Sequence, residues 1–151
     1  MNDLLFLIPL LPLLAAVFNY VVGRMLSDKV TGWLATLAVG ASFVLSLGAF
    51  VDQLDSDDPL SQHLYDWIPA GLLHVPLSLH VDHLTAIMLL VVTSVSLLVH
   101  IYSIGYMAGD PGFYRFFAFL PLFVFSMLML VLADNFLVLF FGWEAVGLCS
   151  Y

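Results

Sequence analysis

Phe136-Leu-Val-Leu-Phe-Phe-Gly-Trp-Glu144-Ala-Val-Gly-Leu-Cys149 is apolar throughout except for one carboxyl group, and Glu144 is the only glutamate in the chain. In lipid such a run can only be a helix, because an open strand would leave backbone N–H and C=O groups without partners. Glu144 lies nine residues beyond Asn135, roughly 13 to 14 Å along a helix axis and so near the middle of a hydrocarbon core about 30 Å thick. An ionisable group there costs about 2.5 to 3.5 kcal/mol on insertion scales, which makes it a functional-site candidate. The alternative is an acid that stays protonated and hydrogen-bonds a neighbouring helix as glue. Gly147 and Leu148 follow at helical spacings of three and four and Tyr151 at seven, and the small Gly147 leaves room for water or another helix. Desolvation favours the neutral form of a carboxylic acid and a nearby cation favours the ionised form. An acid that alternates between two such surroundings binds and releases a proton.

The rest of the composition agrees with a membrane setting. Hydrophobic residues make up 63% and charged residues 9%, against roughly 25% charged in a soluble domain, and the mean hydropathy is +1.09. This is the composition of an integral membrane protein surrounded by lipid bilayer. Cys149 is the single cysteine, which excludes a disulfide framework, a cysteine-rich zinc site or an iron-sulfur cluster built from this chain alone. The net charge of −8 sets 11 acids against Arg24, Lys29 and Arg115, with no basic patch, and argues against nucleic acid as a partner.

Working outward from Glu144, length alone predicts four further spans, since about 20 apolar residues cross the core. The five are Leu4 to Val22, Val30 to Val51, Leu84 to Met107, Phe113 to Leu132, and Phe136 to Tyr151, the last incomplete. The Met1-Asn2-Asp3 leader carries no positive charge and Pro9 and Pro12 break the first run, so it is a retained helix rather than a signal peptide. Arg24 and Lys29 fall between spans one and two and Arg115 at the link between three and four, while the other two connections hold no Lys or Arg. The positive-inside rule therefore sets the N-terminus outside. The expected fold is an all-α membrane protein, a single transmembrane region over residues 1–151. It carries a small outer-face β-hairpin in the loop of residues 52–80, between helices two and three.

That loop begins with an acidic cluster, Asp52, Asp55, Asp57 and Asp58, and passes through a Pro69-Ala70-Gly71 turn. Leu73, Val75, Leu77, Leu79 and Val81 then alternate with His74, Pro76, Ser78 and His80, the period of a half-buried strand. Pro76 cannot donate to a ladder, which predicts an edge strand. His63, His74, His80 and His83 form a candidate external metal or proton-collecting site, but no cysteine and no paired histidines at helical spacing support a metal. No metal site and no cofactor-binding residue is expected.

Span three carries a second polar feature. Thr93, Ser96, His100 and Ser103 fall within an arc of about 80 degrees at 100 degrees per residue. His100 is either a relay on a proton route from the inner side or a packed core histidine. The hydroxyls are read as bonding back to their own helix carbonyls. Pro121 removes a backbone donor from span four and predicts a kink, with room for a hydrated break. Asp82, with Thr85 inside the first turn, predicts an N-cap for span three, and Asp110-Pro111-Gly112 predicts a turn. Trp33, Trp67, Tyr102, Tyr106 and Tyr114 suit an interfacial belt, and Cys149 a small packing position.

The stretch Ala133-Asp-Asn-Phe-Leu-Val-Leu-Phe-Phe-Gly-Trp-Glu-Ala-Val-Gly-Leu-Cys-Ser-Tyr151 resembles the subunit L family of bacterial NADH-quinone oxidoreductase, respiratory complex I. So do Val81-Asp82 opening a span that runs to His100-Ile-Tyr-Ser-Ile-Gly-Tyr-Met107, and Asp110-Pro-Gly-Phe-Tyr-Arg-Phe-Phe117. The Gly-Leu-Cys-Ser-Tyr ending is more similar to subunit L than to the Mrp sodium/proton antiporter subunit or the membrane chains of group 4 hydrogenases. The resemblance implies helices one to five of an antiporter-like, proton-translocating bundle in the bacterial cytoplasmic membrane, partnered by other membrane subunits of complex I. It implies that Glu144 is the intramembrane proton carrier, paired with a lysine on a later helix. No such lysine occurs here, and the chain ends inside helix five where the family has a much longer bundle, so it is expected to be an N-terminal fragment; His83 stands where many relatives have glycine, which leaves the role of that position open. NADH, FMN, iron-sulfur clusters and quinone are implied to belong to other subunits. An Mrp-type antiporter, a group 4 hydrogenase membrane subunit and a structural membrane scaffold are the competing expectations.

Overall fold

The computed structural model describes residues 4–55, 58–70 and 73–151. Its helices are α1 (Leu7–Val22), α2 (Asp28–Asp55), α3 (His83–Tyr106), α4 (Phe113–Val131) and α5 (Phe136–Ser150), with strands β1 (Leu60–Ala70) and β2 (Leu73–Val81) between α2 and α3. Four helices are long and apolar enough to cross a membrane, and α5 is a shorter apolar helix. The expected helical membrane fold with a two-stranded antiparallel hairpin is borne out.

Several helix ends are written in the sequence. Asp82 caps α3 by accepting from the Thr85 N–H at 2.7 Å, and Asn135 caps α5 by accepting from Leu137 and Val138 at 3.1 and 3.0 Å. Between α3 and α4, Gly109 takes φ +82°, a left-handed conformation that glycine adopts without steric penalty. Asp110 then closes the turn by accepting from the Gly112 N–H at 2.6 Å.

Three details differ from the expectation. First, α1 starts at Leu7 rather than Leu4. Second, α2 runs to Asp55, so Asp52 lies in its last turn rather than in the loop. The helix is 28 residues long, roughly 42 Å, and outlasts a core of about 30 Å. Third, β2 is the edge strand that Pro76 predicts, but it also makes contacts outside the hairpin. Its Leu79 bridges Ala133, its His80 N–H donates to the Leu132 carbonyl at 2.9 Å, and the Pro76 carbonyl accepts from Asn135 Nδ2 at 2.8 Å. Proline lacks a donor but keeps its acceptor, and the α4–α5 link uses it. Asp57, the Gly71 end of the expected turn and the Met1–Asp3 leader lie outside the described residues, as do the side chains of Asp55 and His74.

The hairpin pairs Leu60 with Val81 and Ala70 with Leu73, with register irregularities between His63 and Tyr65 and between Asp66 and Ile68. Val75, Leu79 and Val81 are buried, which fits the alternation, although Ser78 on the opposite set is also buried. Leu79 and Val81 join the main core with Leu5, Ile8, Val39, Leu89, Leu128 and Val138. Burying such a side chain contributes about 1.5 to 3 kcal/mol, so these two hold the hairpin across the helix ends. Gln62 adds a tie by accepting from the Phe6 N–H at 2.8 Å. A second, smaller cluster of Ala35, Phe113 and Phe117 lies toward the other end. Among the helices, α1 packs on α4 and α2, α2 on α3, and α4 on α5, while α3 also touches α4.

Candidate functional site

The sequence of α5 sets how Glu144 is presented. Val138 and Gly142 are the buried residues of this helix, and they form its seam against α4. A Cβ built on Gly142 would stand 2.7 Å from the Leu130 nitrogen and 2.9 Å from its Cα, so only glycine permits this approach. Glu144 follows two residues later, about 200 degrees around the helix, and faces away from α4. It is exposed. Leu137, Phe140, Phe141 and Leu148 share that side and are exposed as well. Among the described residues Glu144 has no hydrogen-bond or ion-pair partner. A carboxyl group left bare to hydrocarbon would be strongly disfavoured, so this face calls for a polar or cationic group from outside the described residues.

The hairpin end of α5 is anchored from three directions. Asn135 joins the helix cap to the Pro76 carbonyl, the Leu79–Ala133 bridge holds the preceding link, and Trp67 meets Phe141 edge-on at a ring separation of 6.2 Å. Trp67, Phe141, Phe6, Leu64, Phe125 and Met129 help line an apolar cleft of about 420 Å³ between hairpin and helices.

His100 is fully buried in α3. Its Nδ1 lies 2.8 Å from the Ser96 carbonyl oxygen, and its ring meets Phe117 edge-on at 6.2 Å. Thr93 and Ser103 are buried on the same face, and the Thr93 hydroxyl bonds back to the Leu89 carbonyl at 2.6 Å. No hydrogen bond or ion pair joins His100 to Glu144, the first being buried and the second exposed. Of the external histidines, His63 pairs with Asp66 at 3.0 Å on the exposed side of β1. Among the described residues no group of three His, Cys, Asp or Glu side chains could hold a metal ion.

Asn19 and Ser42 carry no role in the sequence reading, yet each completes a broken helix. Pro12 leaves the Ile8 carbonyl without its usual donor, and Ser42 of α2 donates to that oxygen at 2.8 Å. Pro121 does the same to the Phe117 carbonyl, and Asn19 Nδ2 of α1 donates to it at 2.8 Å while reaching the Thr31 carbonyl at 3.2 Å. A proline inside a span frees the carbonyl four residues earlier. That rule, applied to the polar residues of neighbouring spans, is the signal that could have found both. The room left by Pro121 is filled, at the carbonyl itself, by an amide.

Fold and site together define an integral membrane protein of bundled helices, with an acid on a span and a hairpin tied to that span's end. Residues 67–117 match the family described as NADH-Ubiquinone oxidoreductase (complex I), chain 5 N-terminus. Over 150 residues the chain is 46% identical to NADH-quinone oxidoreductase subunit L of Rickettsia felis, covering 99% of this chain and 23% of that protein. It is 45% identical to the subunit L of Neisseria meningitidis serogroup B over 100% of this chain and 23% of the relative. NAD(P)H-quinone oxidoreductase chain 5 of Synechocystis is 40% identical over 99% and 23%. The chain thus belongs to the subunit L, or chain 5, family and matches its N-terminal portion. It spans about a quarter of the length of the curated relatives it matches.

Proposed function

We propose that this chain supplies the N-terminal helices of an antiporter-like membrane subunit of respiratory complex I, in which NADH oxidation and quinone reduction elsewhere drive proton translocation. Glu144 is the intramembrane proton carrier. The observation that carries this is a lone carboxyl group near the middle of an apolar span, exposed on the face opposite the α4 seam. A cation brought to that face favours the carboxylate, and its withdrawal into hydrocarbon favours the acid. Movement of the partner charge therefore loads and unloads one proton. The partner is a lysine of a later helix or of another subunit, because the single lysine of this chain, Lys29, stands at the start of α2.

His100 is proposed as a relay toward the end of α3 away from the hairpin. NADH, FMN, iron-sulfur clusters and quinone are held by other subunits, and this chain has no redox centre of its own. The membrane is the bacterial cytoplasmic membrane, with the N-terminus and hairpin outside, supported by Arg24, Lys29 and Arg115 at the other helix ends.

Glu144→Gln in the intact complex tests the carrier. The amide keeps the shape and hydrogen bonding of the acid but cannot ionise. Proton pumping per NADH oxidised should fall while assembly, followed by the content of the complex in the membrane, is kept. Unchanged pumping would return Glu144 to the role of helix glue.

A further inference from the structure

Two fully buried acceptors beside Phe117 lack donors. Asn19 Oδ1 and His100 Nε2 have no hydrogen-bond partner among the described residues, and both residues are 0% exposed. Their identity as acceptors follows from what surrounds them. The His100 Nδ1 faces a carbonyl oxygen, which can only accept, so Nδ1 carries the proton and the neutral ring presents a lone pair at Nε2. Asn19 Nδ2 spends its two N–H groups on the Phe117 and Thr31 carbonyls, which fixes the amide and leaves Oδ1 accepting. Both residues converge on Phe117: Asn19 through its carbonyl, His100 through its ring. This is the residue whose carbonyl Pro121 releases from the α4 ladder.

Buried polar atoms in native proteins are satisfied by protein or by ordered water. Each of these acceptors calls for a small buried donor, and water is the smallest that serves. A metal cation fits less well, because a neutral amide oxygen and one imidazole nitrogen offer it no charge. Ser103 lies one turn beyond His100 toward the end of α3 and is buried on the same face. We propose that α1, α3 and α4 enclose a bound-water site at the Pro121 break, in which water donates to Asn19 Oδ1 and His100 Nε2. The site stands on hydrogen-bond accounting and is independent of whether Glu144 carries protons.

Radiolytic hydroxyl footprinting of the full chain in lipid nanodiscs tests it, because bound water generates radicals beside buried side chains. After correction for intrinsic reactivity, His100 and Phe117 should be oxidised readily, while Leu89 and Leu128, equally buried in apolar surroundings, stay unmodified. Asn19→Leu should abolish the His100 and Phe117 modification and leave Leu89 and Leu128 silent. If His100 and Phe117 are as silent as the two leucines in the unaltered chain, the site does not exist. Should the variant misfold, solid-state NMR of the unaltered chain decides: magnetisation passes from water protons to His100 Nε2 if water is bound there, and its absence refutes the proposal.

Discussion

Pro12 and Pro121 each delete one N–H from a helix, and a side chain of another helix replaces it. Ser42→Ala should therefore destabilise the bundle by about 0.6 to 1.7 kcal/mol, the range of hydrogen bonds within membrane bundles. Pro12→Ala restores a backbone donor to the Ile8 carbonyl, so the same Ser42→Ala change should cost much less in that background. Unfolding in mixed micelles around this double-mutant cycle reads the coupling, and additive effects would mean that Ser42 does not satisfy Ile8. Asp82 gives a pH-dependent counterpart outside the spans. The Thr85 N–H holds its carboxyl below the usual carboxylate range, aided by His80 and opposed by slight desolvation. A depressed folded-state value means that the contribution is complete above the unfolded-state value and is lost as pH falls through the folded one. Asp82→Ala should cost near the lower end of the about 0.5 to 2 kcal/mol typical of caps, since the carboxylate is exposed and screened. In pH-dependent unfolding, the gap between variant and unaltered chain should close on acidification.

At the scale of elements, α5 is positioned by one glycine and one asparagine. Gly142→Leu places a branched side chain where even a Cβ meets the Leu130 backbone, and α5 must move off α4. A spin label or fluorophore on the exposed α5 face should report increased separation from α4; unchanged separation would contradict the close seam. Asn135→Ala removes the α5 cap and the bond to Pro76 together, and amide hydrogen exchange should rise in the first turn of α5 and at residues 79–80 of β2. A rise confined to α5 would show that the hairpin is held without it. The helices and β2 were legible because their periods of hydrophobicity differ and because Asp82, Asn135 and Asp110 are strong local signals. The attachment of β2 to Leu132 and Ala133 was not, since a backbone contact between distant segments leaves no trace in either segment's pattern. The long α2 was missed because acids such as Asp52 end an apolar run without ending a helix.

For the whole molecule, the apolar spans and the isolated acid were enough to define a membrane bundle and its candidate carrier, and sequence similarity assigns the family. Which way Glu144 points was not legible. Its angle around α5 depends on the Gly142 contact, which only packing reveals. His100 is buried and Glu144 exposed, and with no hydrogen bond between them a proton passing from one to the other needs water or residues beyond those described. Infrared difference spectroscopy of the intact complex, with Glu144→Gln used to assign the carboxyl C=O band, addresses the central claim. A carrier requires that band to appear and vanish as pH is varied between roughly 5 and 9, because loading and release are a change of protonation. A band that stays constant across that window would mean a permanently neutral acid and a structural role for Glu144.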